Sequence, residues 1–260
     1  MNHTILRSLA RTFRLHQKTA QLQANLWQVW SGLLLNALTE EELSILSGHT
    51  YDLSPLYRSD VINEWESRWW SESLPNAPAK VLLGACGAGR EVVWLLEQGY
   101  EVTAFEPAAT MVALAQHRAQ SGGTIYQSDY QAFVRNPPRQ DFDGIIFGWG
   151  SFSHVLDEEL QNQLLSTAVR MCPDGPLLLS WLPASQGVSR SRARTMGENL
   201  AMPFKKLRGL SVAGNSSHEI LPWAGPIRTF SRADIQRMAS SVGREAHFGP
   251  ENEYPHATLI

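Results

Sequence analysis

The chain predicts an α/β architecture: a doubly wound, mostly parallel sheet with helices on both faces. Three observations predict it. Short branched apolar runs recur through the second two thirds of the sequence with helical patterns between them. The first of these runs meets a glycine-rich turn that opens a helix, and carboxylates stand at the ends of the next two.

The elements follow in order. Residues 80–91 read Lys-Val-Leu-Leu-Gly-Ala-Cys-Gly-Ala-Gly-Arg-Glu. Val81 to Leu83 suit a central strand, and Gly84, Gly87 and Gly89 let the backbone turn where a Cβ would collide with a ligand. Val92, Val93, Leu95 and Leu96 continue as a helix that Gly99 stops. A glycine-rich turn also serves purely structural ends, so its context matters. The next strand, from Glu101, ends in Glu106, which follows Gly89 at close to the spacing at which an acid reaches ribose hydroxyls. Pro107 breaks that strand. Thr124 to Gln127 forms a third strand and runs into Ser128-Asp129-Tyr130, so two acids face one crevice beyond the strand carboxyl ends. Phe142 to Phe147 and Leu177 to Trp181 are two further buried strands, separated by an amphipathic helix from Asp157 to Met171. Ser231-Arg232-Ala233-Asp234 starts a last helix, and Arg244–Phe248 with His256–Ile260 closes the chain as two strands.

Over roughly residues 80–260 this succession resembles the class I S-adenosylmethionine-dependent methyltransferases. The glycine loop, Glu106, Asp129, the strand ending at Phe147 and the strand after Pro173-Asp174-Gly175-Pro176 carry the resemblance. It implies a Rossmann-like, seven-stranded sheet whose last strand is antiparallel, and an enzyme whose cofactor is S-adenosyl-L-methionine. It further implies that the glycine loop supports the methionine end, that Glu106 holds the ribose and that Asp129 takes the adenine amine. The cofactor-binding set is then Gly84, Ala85, Gly87, Gly89, Glu106, Pro107, Asp129, Tyr130, Gly148 and Trp149. The chain departs from the family pattern twice. Leu83 stands where a strand acid is usual, which leaves the cofactor's amino group to the carbonyls of Gly84 and Gly148. Ala85 stands in the glycine triplet, a replacement tolerated unless φ is positive.

The stretch Gly148-Trp149-Gly150-Ser151-Phe152-Ser153-His154-Val155 is similar to the Gly-Asn-Ser-Phe-x-His-Leu loop of glycine N-methyltransferase-like enzymes, which lies beside the methyl group and the substrate. His154 is a candidate general base, since an unperturbed imidazole titrates near pH 6.5; the alternative is that it caps the next helix or packs against the cofactor. Ser151 and Ser153 are candidate substrate contacts with the same ambiguity. Methyl transfer of this kind is a displacement at a sulfonium, accelerated largely by positioning in a dry, aromatic container.

Aromatic residues concentrate ahead of the glycine loop. Five of the nine Trp (Trp27, Trp30, Trp65, Trp69 and Trp70) fall there, with Tyr51 and Tyr57. Residues 1–79 are accordingly expected to form a helical cap and substrate lid on a cofactor domain of residues 80–260. Tyr57 is the second catalytic candidate, and Trp65 and Trp69 are candidate substrate contacts; the alternative is a helix face glued to the sheet domain. Within 80–260, residues 183–228 form an insertion with seven basic residues, Arg190 among them, against Glu198 and Glu219. Such an excess suits a carboxylate or phosphate on the substrate, with Arg190 the named contact, or else a solvated loop.

Composition sets the outer bounds. A hydrophobic share of 43% with 18% charged residues is ordinary for a globular chain of 260 residues. A net charge of −3 argues against a surface built for nucleic acid. Two Cys form neither a disulfide framework nor a metal motif, which points to a cytoplasmic location. No apolar run approaches the roughly 20 residues of a membrane span. From Met1 to Thr39 there is no acid, while Arg7, Arg11, Arg14 and Lys18 recur at helical spacing, as in the basic face of an amphipathic helix pair, a targeting segment, or the contact of an acidic partner or homodimer. The leading expectation is methyl transfer to N or O of a small molecule, anionic or aromatic in character. The alternatives are an RNA methyltransferase, disfavoured by the lack of an Asn/Asp-Pro-Pro-Tyr/Phe signature after the fourth strand, and a non-catalytic cofactor-binding partner subunit.

Overall fold

A computed structural model describes residues 3–53, 59–120, 122–184, 191–210 and 218–260. In chain order its elements are α1 (His3–Ala37), α2 (Glu40–Leu53), α3 (Glu64–Ser73), β1 (Lys80–Gly84), α4 (Arg90–Glu97), β2 (Glu101–Glu106), α5 (Ala109–Arg118), β3 (Thr124–Gln127), α6 (Tyr130–Arg135), β4 (Gly144–Phe147), a 3-10 turn (Ser151–His154), α7 (Glu158–Met171), β5 (Leu177–Ser180), α8 (Arg192–Leu207), β6 (His218–Leu221), β7 (Gly225–Arg228), α9 (Arg232–Ser241), β8 (Ala246–Phe248) and β9 (His256–Leu259). They fall into two compact units, Glu40–Ala184 with Ser217–Ile260, and Met1–Thr39 with Ser185–Ser216. The structure thus groups residues 40–79 with the sheet, whereas the aromatic content of the sequence draws a line at 79/80.

The larger unit holds a seven-stranded sheet in the order β3-β2-β1-β4-β5-β9-β8. Strands β1 to β5 pair in parallel, with Leu83 opposite Ala104 on one side and Ile146 on the other. β9 runs antiparallel to both neighbours, as expected, with Leu177 opposite Leu259. Strand geometry alternates side chains between faces. Leu82, Ile145 and Phe147 therefore join Phe105, Phe133 and Leu164 in one core, while Val81, Leu83 and Ile146 join Trp70, Val92 and Leu178 in the other. Both faces being covered, the strands read as continuous apolar runs rather than alternating ones. The reversal of strand order between β1 and β4 opens the crevice in which ligands of such sheets bind.

Capping explains the helix starts. Asp157 accepts from Leu160 N at 2.6 Å to begin α7. Ser231 and Asp234 cap one another's backbone to begin α9. β6 and β7 form a hairpin, with Ile220 opposite Pro226, and the hairpin is tied to the chain before α7 by His218 Nε2 and the Leu156 carbonyl, 3.1 Å apart.

The smaller unit is a pair of helices. Residues 3–37 form one helix of 35 residues, not the two expected, because no Gly or Pro interrupts residues 3–31. α1 and α8 approach closely at glycines: a Cβ on Gly197 would stand 1.9 Å from the Val29 carbonyl oxygen. Three cations at α8 and its C-terminal end are engaged within this unit. Lys205 is buried and donates to Asn36 Oδ1 at 3.1 Å, Arg208 donates to the Ala37 carbonyl at 2.8 Å, and Arg194 pairs with Glu198 at 3.3 Å. Arg228, in the larger unit, pairs with Glu158 at 3.3 Å. Four of the seven basic residues of 183–228 thus help to hold the chain together, while Arg192 and Lys206 are exposed. Among the described residues no helix is long and apolar enough to cross a membrane.

Candidate functional site

The site begins where β1 ends. Ala85, Gly87 and Gly89 take φ of 52°, 53° and 83°, and Gly89 stands before the first residue of α4. This folds the loop back so that Cys86 N donates to the Phe105 carbonyl and Gly87 N to Glu106 Oε2, both at 3.0 Å. Ala108 N, just past Pro107, donates to Glu106 Oε1, also at 3.0 Å. One carboxylate thereby ties the glycine loop to the end of β2. Positive φ at Ala85 answers the question its sequence position raises: the turn does use left-handed backbone there, at a cost of about 1–2 kcal/mol for a residue with a Cβ. Gly84 is a glycine for packing, since a Cβ on it would meet the Phe147 ring at 2.7 Å.

Two further strand ends complete the arrangement. Asp129 is exposed and caps α6, its Oδ1 accepting from Ala132 N at 2.7 Å. Tyr130 is buried, and its phenol, facing Ser151, is pushed up in pKa chiefly by burial, with Glu106 and Cys86 adding to the effect. Neither Tyr130 Oη nor Ser151 Oγ has a partner in good hydrogen-bond geometry, although both atoms are buried. After β4 the chain turns through Trp149 and Gly150, at φ of 44° and 75°, with Gly150 N donating to Ser180 Oγ at 2.7 Å. Trp149 lies beneath the Arg90 guanidinium, 4.7 Å from ring centroid to Cζ.

The remaining predicted residues divide. Ser153 is fully buried and accepts from Leu182 N at 2.8 Å, a structural task that fastens the loop to the chain after β5. His154 does not cap α7, because Asp157 does; its imidazole is half-buried against the Pro226 carbonyl, and burial pulls its pKa down to about 4. Trp69 is buried and donates from Nε1 to Thr258 Oγ1 at 2.8 Å, on the sheet. Trp65 is half-buried and stacks on Tyr254 and His256 with centroids 5.5 and 5.0 Å away. Tyr254 belongs to the site's surroundings, since a Cβ on Gly150 would stand 2.4 Å from its hydroxyl. Tyr57 and Arg190 lie outside the described residues.

Sequence reasoning missed the charged group beside the loop. Arg90 bonds Glu66 through Nη1 at 2.9 Å and also through Nη2, reaches the Val61 carbonyl at 2.6 Å, and meets Glu91 Oε1 at 3.0 Å. All three side chains are buried, and burial pushes the Glu91 carboxyl up in pKa against the pull of Arg90. The signal was there in Arg90-Glu91 directly after the last loop glycine, but their partner Glu66 lies well before the loop, on α3. Cys86, next to this group, is a poor thiolate, because burial first and then Glu106 and Glu91 push its pKa up. A cleft between α4, the end of α5 and residues 60–62 includes none of Glu106, Asp129, Ser151 or His154 in its lining.

A glycine turn at the switch point, joined to a strand-end acid and flanked by a second acid and two buried hydroxyls, fits a nucleoside cofactor carried by its ribose. A Cβ built on Gly87 meets nothing within 4 Å, so the turn leaves open space of the kind such a group fills. The part of the chain that holds the glycine turn, Glu106 and Asp129 is similar to a methyltransferase domain. A family model described as a methyltransferase domain matches residues 81–175. Solved structures share the fold. The PH0226 protein of Pyrococcus horikoshii OT3 matches with a TM-score of 0.55 at 18% identity, over 80% of this chain and 96% of its own. The sugar N-methyltransferase KedS8 from Streptoalloteichus sp ATCC 53650 gives 0.53 at 15%, over 76% and 85%. DhpI, in complex with SAH, gives 0.55 at 15%, over 84% and 96%. No curated protein matches the chain.

Proposed function

We propose that this enzyme moves a methyl group to a nucleophilic N or O of a small molecule, with the acceptor received next to the 3-10 turn after β4. The observation that carries the reading is the Gly87–Glu106–Ala108 hydrogen-bonded link at the strand carboxyl ends, beside the buried hydroxyls of Tyr130 and Ser151. When bound, S-adenosylmethionine supplies an electrophilic methyl group on a sulfonium. Glu106, which takes the amides of Gly87 and Ala108, stands at the end of β2 for the ribose hydroxyls. Asp129 stands at the end of β3 for the adenine amine, and Trp149 walls the pocket. Ser151 Oγ, facing the Tyr130 phenol, is a polar atom for an acceptor to engage.

His154 serves this chemistry by packing the loop rather than by taking protons. A base with its pKa near 4 is weak at neutral pH, and positioning and desolvation supply most of what a methyl displacement needs. Trp65, stacked with Tyr254 and His256, offers a flat apolar wall to an acceptor. The described cations of residues 183–228 named above are engaged internally, which weakens the support for an RNA substrate. The structural likeness to a sugar N-methyltransferase favours a small acceptor.

The test uses methyl-labelled S-adenosylmethionine with the purified chain and, separately, a small-metabolite fraction and total RNA. Label is expected in a small molecule. Label transferred to RNA alone overturns the small-molecule reading. Calorimetry should show that Glu106→Ala weakens cofactor binding by about tenfold or more, since hydrogen bonds to a charged group contribute about 1.5–3 kcal/mol.

A further inference from the structure

We infer that Glu91 is the counter-charge for the cofactor's α-ammonium group, supplying from the first turn of α4 the carboxylate that Leu83 withholds at the end of β1. The inference rests on the cofactor reading above.

Glu66, Arg90 and Glu91 are buried together, two carboxylates against one guanidinium, so one cation serves two acids, and burial pushes the Glu91 carboxyl up in pKa despite Arg90 beside it. Glu66 is fully used: its Oε2 accepts from Asn63 N, Asn63 Nδ2 and Arg90 Nη1 at 3.0, 2.7 and 2.9 Å, and its Oε1 pairs with Arg90 Nη2. Glu91 has less, sharing Arg90 Nη2 at 3.0 Å. A buried charge is expensive unless a partner or a ligand compensates it, so Glu91 is the carboxylate that a cationic ligand would hold ionised.

Placement says which cation would compensate it. Glu91 Oε1 would lie 3.7 Å from a Cβ on Gly148, the residue just past β4, and Glu91 is close enough to Cys86 in the glycine loop to influence its thiol. The carboxylate therefore stands between the loop after β1 and the loop after β4, on the two sides of the switch point. Leu83, in contrast, is buried in the apolar core with Val81, Val92 and Ile146 and offers no charge. Glu106, at the end of β2, already takes the loop amides. Glu91 is thus the carboxylate positioned for the amino end of the ligand, while Glu106 is positioned for its sugar.

The test compares two ligands by calorimetry: S-adenosylhomocysteine, and the analogue in which hydrogen replaces its α-amino group. The wild-type protein is expected to prefer the amino-bearing ligand by about 10- to 100-fold, the range of a charge-assisted contact. Glu91→Gln should lose most of that preference through weaker binding of S-adenosylhomocysteine, with the deamino analogue unchanged, and Glu91→Asp should keep part of it. An undiminished preference in Glu91→Gln overturns the inference. Equal affinities in the wild-type protein overturn it as well, whether or not the glutamine variant folds. If neither ligand binds the wild-type protein, the cofactor reading itself falls, and the inference with it.

Discussion

Single residues at the strand ends do two jobs in this protein. Glu106, proposed above for the ribose, is also the clamp that shapes the glycine loop. Its second role could not be read from its spacing after Gly89, because a spacing says nothing about which amides face the carboxylate. His154 is the opposite case: the motif suggests a base, and burial turns it into a packed neutral ring. The pKa of this group falls from 6.5 unfolded to about 4 folded, so between those values the unfolded chain binds more protons. Stability from this source is present above pH 6.5 and lost as pH falls through 4. Allowing for partial exposure, it amounts to roughly 2 kcal/mol. Urea unfolding at pH 7 and pH 4.5 should show a smaller acid loss in His154→Asn than in wild type; equal losses would assign the acid sensitivity elsewhere.

At the scale of elements, local patterns were legible and lateral contacts were not. Gly87-Ala88-Gly89 before a charged pair, Asp157 before α7 and Ser231 before α9 announce helix starts through local chemistry. The pairing of α1 with α8, whose sequences are separated by most of the sheet, carries no such signature, and residues 183–228 read as an insertion rich in cations. Its helix exists because Gly197 lets two backbones touch and because Lys205 and Arg208 reach the end of α1. Replacing Gly197 by Val forces a side chain into the Val29 carbonyl and is expected to cost about 3 kcal/mol by overpacking. Hydrogen exchange should show α8 losing protection while the amides of β1 and β4 keep theirs. Uniform loss across both units would mean that the two unfold together.

Across the whole molecule, the sheet is what makes the site possible, because the switch point between β1 and β4 brings residues 84–91, 106, 129–130 and 148–151 to one edge. Its core is a continuous support for that edge: Phe147 is fully buried among Phe105, Tyr130 and Phe152 and lies under Gly84. Phe147→Ala is expected to destabilise the protein by about 3–5 kcal/mol. Cofactor affinity, measured where the variant is still folded, should fall as well, since the cavity opens beneath the glycine loop; unchanged affinity would show that the loop holds its shape without this support. The apolar strand runs, the glycine turn and the acids at strand ends were determined by sequence alone, since each follows from local sterics and periodicity. Tertiary structure decided that Ala85 bears positive φ, that Arg90 is neutralised by Glu66, that Trp65 stacks on Tyr254 and that the basic insertion closes on α1. These depend on which distant side chains share a buried volume, and a buried charge or ring takes its character from those neighbours rather than from its position in the chain.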